Sequence, residues 1–380
     1  MPIFLIIGAM FSISPVIYAF SPIKGNLIFF FMAFCILLIK NSLFKTSKFT
    51  WLVFGVFLST TFLSALYWQQ PKILFLSAYF LSSIIIVYSL SEDNIIHFVD
   101  FSTKLLLVTI IGAIVGTVYA LMGGQPIFDF SNPDGRLCQF YITTLTNFQV
   151  GNFIRPSGFF DEPGALSFFI CFIAACRHEI GASKVPTWAL LILGFISTSI
   201  AHLLYVMFHL LQEVKDKKRF IKILLLFFSI LILMAMLIKF YEPLQSVSLF
   251  FTNRIMNGDI GADRLDTFKT SFGYLDLNSF FYGVNGDCAV RLVDCTNIGY
   301  SVVDANPLTP IVEWGILLAW PFYISLIYLF LVSVFRVNLI TFGLLLLLLQ
   351  RPYTMNVGYS LLIMITLFIV YYQHRFDRKL

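Results

Sequence analysis

PTWALLILGFISTSIAHLLYVMFHLL, running from Pro186 to Leu211, decides how this chain is threaded. Read as one helix it is 26 residues long. That is about 39 Å at 1.5 Å per residue, generous for one crossing of a ~30 Å hydrocarbon core. Its flanks argue against a single crossing. Arg177, His178 and Lys184 precede it, and Lys215, Lys217, Lys218, Arg219 and Lys222 follow it. One crossing would leave a basic cluster outside, whereas short cytoplasmic loops are where Lys and Arg collect. A hairpin turning at Ser197-Thr198-Ser199 keeps both clusters inside, and three hydroxyl residues suit a break in the backbone ladder.

The rest of the chain carries the same signature. Of its 380 residues, 59% are hydrophobic and 12% charged, with a mean hydropathy of +0.87. A soluble domain carries roughly a quarter charged residues, so water is the wrong solvent for most of this surface. Long apolar runs alternate with polar breaks, which is the pattern of helical spans and not the roughly ten-residue alternation of a membrane barrel. The expected spans are Ile3 to Phe20, Leu27 to Ile39, Trp51 to Tyr67, Ile73 to Leu90, Leu105 to Met122 and Pro163 to Cys176. They continue with Pro186 to Ser197, Ile200 to Leu211, Phe220 to Lys239, Leu308 to Phe335, Leu339 to Leu349 and Val357 to Tyr372.

The expectation is therefore an all-α polytopic membrane bundle of about 12 spans, one membrane domain over residues 1–380, with both termini cytoplasmic. About 15 Lys and Arg then fall inside against about 10 outside, most of the latter in long loops. Met1 to Ala19 lacks a basic leader region and reads as a retained first span. The net charge of +5 is dispersed at span ends, so no nucleic-acid partner is implied.

Two outer segments, 123–162 and 241–307, are too long for turns, and loops of that size tend to be functional or disordered. Phe, Tyr, Leu and Val in the second argue for order. The first ends in Arg155-Pro156-Ser157-Gly158-Phe159-Phe160-Asp161-Glu162-Pro163-Gly164 and runs straight into a span. Asp161 and Glu162 before a proline also suit a plain helix start, with acids at the positive end of the dipole. A helix start does not account for Arg155. The second loop carries Arg254, Asp263, Arg264, Asp266, Lys269, Arg291 and Asp304, then Asn306 and Glu313 as the chain re-enters the membrane. A guanidinium fork meets two phosphate oxygens at once, so Arg155 and Arg264 together would suit a diphosphate. Contact with water or lipid headgroups is the alternative for any one arginine.

These segments resemble the O-antigen polymerase (Wzy) family. Arg155 to Gly164 is similar to its Arg-Pro-x-x-x-Phe-x-Glu-Pro segment. Arg264 followed by Phe280-Phe281-Tyr282-Gly283-Val284-Asn285-Gly286 resembles its Arg…Phe-x-Gly-x-Gly stretch. Asp304-Ala305-Asn306 with Glu313-Trp314-Gly315 resembles the entry to its next helix. Ser197-Thr198-Ser199 sits where relatives often carry Thr-x-Ser-Arg, and here no arginine follows. The likeness covers roughly Arg155 to Trp320, plus the span count.

The resemblance implies a GT-C-like architecture and a metal-independent glycosyltransferase of the bacterial inner membrane, working without a cofactor on the periplasmic face. Its substrate would be an undecaprenyl-diphosphate-linked oligosaccharide, polymerised into O-antigen or a related surface polysaccharide. Membrane lipids and a chain-length regulator would be its partners. Arg155 and Arg264 would stabilise the departing diphosphate, with Arg254 or Arg291 in reserve, and Glu162 or Asp304 would take the acceptor proton. Asn306 and the intramembrane His202 complete the substrate-binding candidates. Cys288 and Cys295 are close enough in sequence for a small disulfide in an oxidising periplasm. An O-antigen ligase shares this architecture but typically has a His-Asn pair about eleven residues before the glycine. Counting back from Gly315 reaches Asp304-Ala305 instead. A lipid-linked oligosaccharide flippase is the other competing reading, but such proteins place charges near the bilayer midplane, whereas these spans are almost uncharged and the charges gather in the outer loops.

Overall fold

The computed structural model describes residues 2–21, 27, 32, 35, 48–69, 72–131, 137–214, 229, 236, 262–284, 306–352 and 357–373. In chain order its helices are α1 (Pro2–Ile13), α2 (Pro15–Phe20), α3 (Lys48–Tyr67), α4 (Lys72–Ser89), α5 (Glu92–Leu121), α6 (Pro163–Glu179), α7 (Lys184–Leu193) and α8 (Ile200–Glu213). They continue as α9 (Ala262–Gly273), α10 (Leu277–Tyr282), α11 (Thr309–Trp314), α12 (Ile316–Phe335), α13 (Leu339–Gln350) and α14 (Val357–Tyr371). Helix accounts for 75% of the described residues. The expected spans Leu27 to Ile39 and Phe220 to Lys239 lie outside the described residues, apart from isolated positions.

The centre is α6. Its sequence PGALSFFICFIAACRHE is apolar or small on every face, and a helix with no polar side has to be enclosed. Every residue from Pro163 to Glu179 except His178 is buried. Helices α5, α7, α8, α13 and α14 surround it. Phe168 stacks on Phe172 with centroids 4.3 Å apart and meets Tyr359 of α14 edge-on at 5.5 Å.

The hairpin at Ser197-Thr198-Ser199 is present. Helix α7 tightens into a 3₁₀ turn over Gly194–Ser197, and Thr198 takes a left-handed conformation at φ 49° before α8 starts. The two arms return antiparallel, because Glu213 at the end of α8 meets Lys184 Nζ and Trp188 Nε1 of α7, each at 3.2 Å. Gly194 leaves room for the His202 ring, which a Cβ there would crowd at 2.6 Å.

Two described helices, α5 and α12, are long and apolar enough to cross a membrane, and five shorter apolar helices accompany them. Several boundaries differ from expectation. Helix α5 begins at Glu92, well before Leu105, because Ser91 caps Asn94 N–H and the polar-looking start buries Ile95, Phe98, Val99, Ser102 and Thr103 on one side. The first span is divided at Ser14, just before Pro15, whose ring disfavours helical geometry in the preceding residue. The span expected from Leu308 to Phe335 is broken at Gly315, φ 69°, into α11 and α12.

The all-α expectation needs one correction, in the segment that precedes α6. Strands β1 (Phe128–Ser131), β2 (Leu137–Tyr141) and β3 (Thr144–Thr146) form an antiparallel sheet, and β4 (Gln149–Val150) pairs with β5 (Phe153–Ile154). Two glycines let this sheet lie directly on α5. Thr143 Oγ1 donates to the Gly112 carbonyl at 2.6 Å, and a Cβ on Gly116 would overlap the Thr144 side chain. At the opposite end of α6, Arg177 donates to Asp100 at 2.9 Å, Thr187 at 3.1 Å and the Ser183 carbonyl at 3.0 Å. Asn338 donates to Glu179 there at 2.8 Å, so charges buried in the bundle are tied to partners on α5, on α7 with its N-cap, and at the start of α13.

Candidate active site

Arg155 is positioned by its own loop. The backbone N–H of Arg155 donates to the Phe148 carbonyl at 3.1 Å, and its carbonyl accepts from Thr146 Oγ1 at 2.7 Å. Downstream, the fully buried Ser157 hydroxyl shares its one proton between the Leu145 and Phe160 carbonyls, at 3.0 and 2.7 Å. Gly158, φ 63°, rests against Thr109 of α5, where a Cβ would overlap the threonine methyl. The Arg-Pro-Ser-Gly segment is therefore pinned to α5 before the chain enters α6.

So held, Arg155 reaches the hairpin break. Its Nε donates to Thr198 Oγ1 at 2.8 Å, Nη2 approaches the Ser197 and Thr198 carbonyls at 3.5 Å, and the guanidinium lies 5.6 Å from the Phe148 ring centre. Those carbonyls end a helical segment and lack onward helical partners.

Glu162 forms the N-cap of α6, but its side chain makes no bond to the helix start. It pairs instead with Arg351, at the C-terminal end of α13. Gly164 is what admits that arginine, because a Cβ there would overlap the guanidinium. Sequence reasoning missed Arg351. It follows a Leu-rich run and precedes Pro352, which reads as an ordinary helix end.

The second loop docks through two glycines with positive φ. A Cβ on Gly283 would overlap the Glu313 carbonyl, and one on Gly315 would overlap the Phe281 carbonyl, so the two backbones clasp at van der Waals distance. Val284 N–H donates to the Val312 carbonyl at 2.7 Å. Asn306 is buried and donates to Ser271 of α9 at 2.9 Å, which ties that helix to the bundle. Its Oδ1 accepts from Leu308 N–H at 2.9 Å. In this arrangement Asn306 supports the loop. Asp276 caps α10, and the Ser279 backbone and hydroxyl hold its carboxyl below the usual aspartate range.

The remaining candidates divide. Arg264 falls in the first turn of α9. Arg254, Arg291, Asp304, Cys288 and Cys295 lie outside the described residues. His202 is fully buried inside the hairpin, with Nε2 2.8 Å from the Leu191 carbonyl and Nδ1 3.5 Å from Cys171 Sγ. A carbonyl only accepts, so Nε2 carries the proton, and His202 braces the hairpin from within. Among the candidates, then, Arg155 and Glu162 share one end of the bundle, at the hairpin turn and the head of α6. No family model, curated protein or solved structure matches the chain.

Proposed function

We propose that this chain is a lipid-linked saccharide polymerase: a multi-pass inner-membrane glycosyltransferase of about 12 spans that extends undecaprenyl-diphosphate-linked repeat units on the periplasmic face, with a chain-length regulator as partner. The observation that carries this reading is the placing of a guanidinium, Arg155, at the break of an apolar hairpin. A second guanidinium, Arg351, is paired with Glu162 at the head of the helix that follows.

The sugar–phosphate bond of the donor breaks, the acceptor hydroxyl oxygen bonds to the anomeric carbon, and its proton passes to a carboxylate. Undecaprenyl diphosphate leaves. Negative charge grows on that leaving group, so fixed cations beside it favour the transition state over the ground state. Arg155 and Arg264 take this role, with Arg254 or Arg291 as further phosphate contacts. Glu162 or Asp304 is the proton acceptor, and Glu162 would have to release Arg351 in part to serve.

Arg155→Ala and Arg264→Ala should insert and fold yet abolish the polysaccharide ladder on electrophoresis. Lysine at either position should restore it only in part, because a point charge cannot reproduce the bidentate fork. Normal chain length in both alanine variants would remove the proposed roles.

A further inference from the structure

The second outer loop carries an apolar surface that the proposed chemistry does not use. In α9, Leu265, Phe268 and Phe272 recur at i, i+3 and i+7 and share one face. The helical positions of Arg264 and Lys269 flank that face on either side, while Asp263 and Asp266 fall opposite. Phe272 is 65% exposed and Leu277, which opens α10, 80% exposed. Phe268, Phe280 and Phe281 are exposed beside them. Single exposed apolar side chains are ordinary, but five on two consecutive helices form a patch.

Two observations point to what covers it. The patch continues an apolar helix surface: Tyr282 stacks on Tyr67 at the end of α3 with centroids 3.7 Å apart, and Trp68 Nε1 donates to the Tyr282 carbonyl at 2.9 Å. Leu63, Leu66 and Tyr67 of α3 are themselves exposed, so exposed apolar side chains flank the aromatic pair on both α3 and α10. Tyr and Trp at such a junction mark the level of lipid headgroups. The second observation is the order of charge along α9: the positions of Arg264 and Lys269 border those of the apolar residues and the positions of Asp263 and Asp266 fall opposite, the pattern of a helix lying in a bilayer surface.

We propose that α9 and α10 dock on the outer leaflet, with Phe272 and Leu277 among acyl chains and Arg264 and Lys269 at the level of the lipid phosphates. The inference rests on reading α3 as a membrane helix. It deepens the functional proposal, because Arg264 would be held at the depth where a lipid carrier's diphosphate lies. The carrier then need not leave its leaflet to be gripped.

The test uses the full chain in nanodiscs of phosphatidylethanolamine and phosphatidylglycerol. Phe272→Trp and Leu277→Trp are the reporters, Leu63→Trp on α3 is the reference, and Thr270→Trp, on the other side of α9, is the control. Emission above that of the unsubstituted protein is read with acyl-brominated lipid and with aqueous iodide. The proposal predicts loss of the added emission at Phe272, Leu277 and Leu63 with brominated lipid, and at Thr270 with iodide. If Leu63 is quenched by lipid while Phe272 and Leu277 respond to iodide or to neither, the docking is wrong and the membrane reading stands. If lipid fails to quench at Leu63 as well, both fall.

Discussion

Gly164 shows how much of the candidate site rests on a missing methyl group. The Arg351 guanidinium occupies the space in which its Cβ would lie, and Glu162 pairs with that guanidinium. Gly164→Ala should therefore displace Arg351, the end of a flexible side chain, at a cost to stability of about 1 kcal/mol. Polymer length should fall to the level of Arg351→Ala, and the double variant should lose no more than either single one. Ladder assays beside thermal melting check this, and additive losses would separate the two residues. At this scale Arg155 was legible in the sequence, since neither a helix start nor an apolar run calls for a cation at that position. Its partner Thr198 lies 43 residues away in the chain, and no local pattern joins them. Arg351 was illegible for the same reason, since its partner Glu162 lies far away in the sequence.

Among the elements, the hairpin was readable because charge on both flanks allowed one solution only. The strands of the first loop were not. They are two to five residues long, too short for alternation to show, and what holds them is the glycine-lined side of α5. The break at Gly315 was hidden by apolar residues on both sides, and its cause is the facing Gly283 loop. The start of α10 carries a pH prediction. The Ser279 bonds hold the Asp276 carboxyl below its usual value, so the ionised cap binds protons less readily than in the unfolded chain. Its contribution is present above the ordinary aspartate range and is lost as pH falls through the depressed value. The protection of Leu277–Tyr282 against hydrogen exchange, taken relative to the intrinsic rate at each pH, should fall as the pH drops below the ordinary aspartate range. Asp276→Asn should remove that dependence, and unchanged acid sensitivity in this variant would assign it elsewhere.

Over the whole molecule, helices enclose one buried helix, α6, whose two ends have different jobs. At one end Arg177 and Glu179 are tied to Asp100, Thr187 and Asn338, which locks the bundle. At the other, Arg155, Glu162 and Arg351 gather where the hairpin turns and the outer loop lands. The helical class was legible in the long apolar runs between polar breaks, and helix does dominate the described residues. The polar lock was not legible, since Arg177 counted only as a basic flank of the hairpin. The measurement that bears most directly on the proposed function is electrophoresis of surface polysaccharide from cells deleted for this gene and from cells complemented with it. A polymerase predicts a single repeat unit per lipid after deletion and a restored ladder on complementation. Polysaccharide missing altogether, or a ladder of normal length, would contradict it.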